Sequence, residues 1–96
     1  MTAKGIDRLR DQIDALDRRL LSLLNERAGL VLDLARLKRA DRLPVFDPAR
    51  EKQILEQVVG QNRGPLPGDA VARLFERIID ESRRLERTEV YDTPSE

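Results

Sequence analysis

The chain has 96 residues, with 18 basic and 18 acidic side chains and neither cysteine nor histidine. That length allows one small domain, and zero net charge removes the electrostatic footprint of a nucleic-acid binder. Disulfides, thiolate nucleophiles, Cys or His metal sites and Ser-His-Asp chemistry are excluded, so any proton transfer would fall to Glu, Asp or Lys.

Ala, Glu, Lys, Leu and Arg make up about half of the residues, a composition typical of long helices. Phe46, Phe75 and Tyr91 are the only aromatics. An all-α fold with a Leu, Ile and Val core is expected, as a single domain over residues 1–96. Met1 to Arg10 lacks the apolar stretch of a signal peptide, and no apolar run approaches the roughly 20 residues that span a bilayer. A cytoplasmic location without a membrane partner is expected.

The first helix is predicted over about 6–39. Ile6, Leu9, Ile13, Leu16, Leu20, Leu23, Arg27, Leu30, Leu34 and Leu37 are spaced alternately three and four apart. That is a heptad a/d register with one charged intruder, Arg27. Leu21, Leu24, Val31 and Ala35 widen the stripe. Such a helix is about 50 Å long, whereas a globule of this length has a radius of gyration of only about 12–13 Å. The overhanging apolar stripe is most simply covered by a second copy, so an interlocked homodimer is expected.

Pro44 discourages helix at Leu43, and Asp47-Pro48 supplies an N-cap followed by Pro at the first helical position. The second helix is predicted over about 48–59, with Ile54, Leu55, Val58 and Val59 on its buried side and Gly60 ending it. Residues 60–68 hold three Gly and two Pro and read as a loop. A third helix follows over about 69–87, capped by Asp69, with a stripe of Val71, Leu74, Phe75, Ile78, Ile79, Ser82 and Leu85. The tail 88–96 is polar and expected to fray.

Polar groups lie where apolar ones belong. Arg27 holds an a position, Arg10 and Lys38 hold e positions, Ser82 interrupts the third stripe, and Glu86 lies one turn further. Singly, each has a plain structural explanation: a register device, a snorkelling cation, a back-bonded serine or a solvated acid. Jointly they suggest a ligand site. Arg27 and Lys38 lie about three turns and 16 Å apart, so a small dianion between their long side chains could touch both. Arg10 lies about 25 Å from Arg27 along the same rod. Antiparallel pairing of two first helices near Leu20 would bring Arg10 of one beside Arg27 of the other, giving two equivalent cation-lined sites. Glu51, with Arg50 beside it, sits in the first turn of the second helix, where a carboxylate also suits the helix dipole.

These residues carry a resemblance. Leu9-Arg10, Ile13-Asp14-Ala15-Leu16-Asp17, Leu20-Leu21-Ser22-Leu23-Leu24, Glu26-Arg27, Lys38, Pro44-Val45-Phe46-Asp47, Arg50-Glu51 and Leu74 through Ser82 recur in order from about Ile6 to Glu86. In this the chain resembles the all-helical chorismate mutases. The resemblance implies a three-helix chain in an interlocked dimer that isomerises chorismate to prephenate, on the shikimate route to phenylalanine and tyrosine, without a cofactor. It implies that Arg27 and the partner subunit's Arg10 clamp the substrate carboxylates. Lys38 would contact the ether oxygen and a carboxylate, and Glu51 would hold the ring hydroxyl. Asp47, through its backbone, and Arg50 would support that end, Ser82 would line the site, and Glu86 would bond the ether oxygen.

A pericyclic rearrangement needs no nucleophile or metal, only a compact conformer and stabilised charge on the breaking ether oxygen. One position forks. The best-known bacterial members carry Gln where this chain has Glu86, and an ionised carboxylate cannot donate a hydrogen bond. Activity falling with rising pH is therefore expected. Three alternatives stay open: an isochorismate pyruvate-lyase, a mutase domain that depends on another shikimate-pathway enzyme, and a non-catalytic helical dimerisation module. The short tail and lack of a fused domain favour a free-standing chain over the second.

Overall fold

The computed structural model describes residues 3–92. It holds three helices, α1 (Ala3–Ala40), α2 (Pro48–Gln61) and α3 (Gly68–Glu86), and a π-helical turn at Arg87–Tyr91. No strand occurs among the described residues. The chain divides into two units, Met1–Leu30 and Val31–Glu96.

The first unit is helical from Ala3, three residues earlier than the apolar register predicts, because Ala3 and Lys4 are good helix formers. Its seam residues Ile6, Leu9, Ile13, Leu16, Leu20 and Leu23 are each between 43% and 57% exposed. None of its described residues is buried. A lone helix of this kind derives little stability from propensity and ordinarily depends on packing of its apolar face.

In the second unit, α1 ends in a glycine-free Schellman motif. Arg42 takes the left-handed position at φ 59°, the Leu43 amide donates to the Lys38 carbonyl at 2.7 Å, and the Arg42 amide donates to Arg39 at 3.0 Å. Lys38 and Arg39 in the last turn suit the negative end of the helix dipole.

Asp47 caps α2 as its position before Pro48 predicts, accepting the Arg50 amide at 3.1 Å. Such a cap is worth about 1 kcal/mol. Gly60 does not end α2, which continues to Gln61. Asn62 organises the exit instead: its side chain donates to the Leu66 carbonyl at 2.7 Å and accepts the Gly64 amide at 3.2 Å. Gly64 supplies the left-handed φ of 72° in that turn.

Asp69 does not cap α3. The helix starts one residue before it, and the Pro67 carbonyl receives the Ala70 and Val71 amides. Asp69 instead bonds Arg73 one turn on, at 3.0 Å. That hydrogen bond, and then the guanidinium charge, hold the Asp69 carboxyl below its ordinary range. Its folded value lies below the unfolded one, so the stabilisation is present above about pH 4 and disappears as pH falls through the depressed value. Asp69→Asn is expected to flatten the acid limb of a stability-against-pH curve measured by urea unfolding. An acid limb identical to wild type would contradict this.

Helices α2 and α3 pack against one another. Ala35, Val71, Ile79 and Val90 are buried, and Ile54, Leu55, Val58, Phe75 and Ile78 are half-buried around them. Val59 and Leu74, expected on buried faces, are exposed at 40% and 54%. The expectation of fraying from residue 88 is overturned through Tyr91. Asp92 donates to Arg87 at 2.7 Å across five residues, Val90 is buried, and Tyr91 is tied to Leu43. Residues 93–96 of that tail lie outside the described part.

Candidate active site

Arg10 and Arg27 belong to the first unit. Arg10 is exposed, and Arg27, at its a position, is half-buried. The remaining residues singled out by sequence lie in the second unit.

Lys38 and Glu86 meet there. The ammonium nitrogen lies 3.1 Å from Glu86 Oε1 and 3.4 Å from Oε2, and donates to the Val45 carbonyl at 3.2 Å. Their side chains are only 15% and 8% exposed. Glu86 is the one buried charged residue among those described. Its burial follows from α3 continuing the Val71 and Ile79 stripe one turn past Ser82, which carries the carboxylate inward rather than to solvent. Lys38 reaches it from the last turn of α1, with its long stem covered and its charge satisfied by anion and carbonyl. The three acceptor oxygens around Nζ match the three donors of an ammonium group.

Glu51 is half-buried in the first turn of α2. Its Oε2 accepts from Arg83 Nη1 at 2.9 Å, while Arg83 Nη2 donates to Asp80 at 2.9 Å. The same guanidinium lies 5.1 Å from the centre of the Phe46 ring, within cation–π range. Arg83 thus links α3, α2 and the 41–47 loop through one planar group. Sequence reasoning did not single it out. The available signal was its place one turn after the buried Ile79, beside the core face.

Arg50 and Asp47 are exposed. Arg50 donates along α2 to Gln53 at 2.7 Å, and the Asp47 carboxylate is engaged in capping. Ser82 is half-buried and donates to the Ile78 carbonyl at 2.8 Å, the back-bonded geometry of a serine within a helix. The structure therefore brings Lys38 and Glu86 into contact, and joins Glu51 to Arg83 rather than to Arg50.

An open groove lined by Arg77, Arg83, Arg84 and Arg87 with Asp80 and Asp92 contains none of the side chains expected to bind substrate. Its arginines are largely engaged, Arg77 and Arg84 with Glu81 and Arg83 with Glu51 and Asp80. Among the described residues no acidic or metal-ligating trio is placed to hold a metal ion, and no helix is long and apolar enough to cross a membrane.

Solved structures with this fold include a chorismate mutase from Thermus thermophilus, 36% identical with a TM-score of 0.87, covering 88% of this chain and 97% of that one. A Helicobacter pylori chorismate mutase in complex with prephenate is 26% identical with a TM-score of 0.86, covering 95% of this chain and 99% of that one. Among curated proteins, the bifunctional chorismate mutase/prephenate dehydratase of Pseudomonas aeruginosa is 42% identical over 84 residues, or 82% of this chain. The protein of the same description from Stutzerimonas stutzeri is 36% identical over 90 residues, or 88% of this chain. The chain spans only 23% and 25% of those two relatives. The pattern defining the chorismate mutase type II family matches residues 9–87. With most of its length matched in this way, the chain belongs to the chorismate mutase type II family.

Proposed function

We propose that this chain is an isomerase that converts chorismate to prephenate by intramolecular rearrangement, acting as a cytoplasmic homodimer in aromatic amino acid biosynthesis. The observation that carries the reading is the largely buried ammonium of Lys38, held between a carbonyl and the Glu86 carboxylate. A fixed cation in a water-poor setting is what stabilises charge developing on a breaking C–O bond, because little reorganisation is needed when that charge appears. The prephenate bound to the Helicobacter pylori relative supports this substrate class.

In the proposed mechanism, Arg27 and Arg10 of the partner subunit hold the two carboxylates and select the compact conformer. Lys38 turns one of the N–H donors now directed at Glu86 to the ether oxygen as negative charge grows there. Glu51, oriented by Arg83, accepts from the ring hydroxyl, while Asp47 and Arg50 border that end and Ser82 lines the wall. Glu86 donates to the ether oxygen when it carries a proton, since the ionised form only accepts. The bifunctional relatives make a prephenate-consuming enzyme a reasonable associate of this chain.

The decisive experiment supplies chorismate and isochorismate separately at two pH values and identifies the products. Prephenate from chorismate supports the proposal; pyruvate from isochorismate, without prephenate, replaces it with lyase chemistry. Glu86→Gln, whose amide donates without needing an added proton, is expected to keep or raise the turnover of chorismate. A Glu86→Gln variant much slower than the wild type would count against a hydrogen-bond donor at this position.

A further inference from the structure

Lys38 is bound to the 41–47 loop twice. Its carbonyl receives the Leu43 amide at 2.7 Å, and its ammonium donates to the Val45 carbonyl at 3.2 Å. Leu43 is held from its other side, where its carbonyl accepts the Tyr91 hydroxyl at 2.7 Å. The neighbouring Arg39 donates through Nη1 to the Val90 carbonyl at 2.8 Å, and Val90 is only 4% exposed. The turn that carries Val90 and Tyr91 begins immediately after Glu86, the counter-ion of Lys38. One continuous segment of chain therefore supplies both the carboxylate facing the ammonium and the anchor for the loop that holds its third acceptor.

We propose that the π-helical turn Arg87–Tyr91 is a clamp that sets the position of the Lys38 ammonium, with Tyr91 and Arg39 as positioning residues. The clamp is a statement about Lys38 geometry; its effect on turnover rests on the mutase reading above. The physical reason is economy of restraint. The loop's Leu43 and Phe46 side chains are about half exposed, so apolar packing fixes it weakly and a few hydrogen bonds define where Val45 points. Releasing Leu43 lets the Val45 carbonyl drift, and the ammonium follows its remaining acceptor, Glu86, away from the place where it must meet the substrate. Arg39 backs up Tyr91 by pinning the adjoining carbonyl, so that the phenol reaches Leu43 from a fixed base.

The test uses Tyr91→Phe, which removes one hydroxyl, together with Arg39→Leu and its conservative counterpart Arg39→Lys. The chain has three lysines, Lys4, Lys38 and Lys52, so the Lys38 ammonium signal in ¹⁵N NMR is assignable by its absence in Lys38→Arg. Tyr91→Phe and Arg39→Leu are expected to broaden or abolish that signal. They should also lower kcat about five- to tenfold, the scale of one net hydrogen bond, with KM within about twofold and an almost unchanged melting temperature. Arg39→Lys should recover most of kcat. An unaltered Lys38 signal in Tyr91→Phe overturns the clamp. A lost signal with unchanged kcat overturns its role in turnover. A wild type that leaves chorismate untouched would end the mutase reading, and the Lys38 signal would still decide for or against the clamp.

Discussion

Lys38→Met is expected to lose both turnover and stability, while the double variant Lys38→Met/Glu86→Met regains the stability and stays inactive. The pair is 3.1 Å apart and nearly sealed from solvent. Removing the cation alone strands a buried carboxylate, a change that typically costs about 3–5 kcal/mol. Small domains have only about 5–15 kcal/mol in total, so the single variant should melt many degrees lower. Replacing both partners by apolar groups of similar volume leaves no stranded charge and is commonly neutral or stabilising. Turnover behaves differently. Loss of a donor to developing negative charge lowers kcat by about 10²–10³, and repacking cannot restore it. Urea unfolding and steady-state kinetics on the three proteins check both halves. Lys38→Met turning over within tenfold of wild type would sink the catalytic assignment.

Mixing two inactive variants, Arg10→Ala and Arg27→Ala, is expected to restore about a quarter of wild-type activity. In a two-fold dimer whose sites each draw Arg10 from one chain and Arg27 from the other, half of randomly reassorted dimers are mixed, and each mixed dimer has one intact site of two. The physical basis is the charged intruder in the heptad seam. Arg27 holds a position whose neighbours in register are Leu23 and Leu30, and a polar residue at such a seam position specifies register at a cost in stability. Arg27→Leu is correspondingly expected to raise the melting temperature while abolishing turnover. Co-refolding equal amounts of the two alanine variants and assaying chorismate depletion tests the arrangement. No recovery, or substantial activity in either variant alone, would refute shared sites.

The legible part of the fold was what repeats or caps locally. The three-four spacing from Ile6 to Leu37 announced α1, and Asp47-Pro48 announced the start of α2, because helix periodicity and N-capping are near-neighbour physics. Local signals failed where a stronger local competitor was present. Asn62, with two side-chain hydrogen bonds, ended α2 in place of Gly60, and the Pro67 carbonyl began α3 without help from Asp69.

Long-range partners were harder. Glu51 and Arg83 are 32 residues apart, and Leu43 and Tyr91 are 48 apart. No periodicity links such positions, so the pairing of Glu51 with Arg83 and the terminal turn were invisible until the chain was folded. Lys38 and Glu86 were singled out by family resemblance together with their places beside apolar stripes. Their mutual contact is a tertiary fact that neither helix encodes alone.

The exposed leucine face of residues 3–30 can make abundance a folding variable. If a second copy covers that face, association and the ordering of this segment draw on the same free energy, and the folded fraction follows protein concentration by mass action. A cell making too little of this protein would then lose more than catalytic capacity in proportion. It would also lose the shape of the molecules it had made.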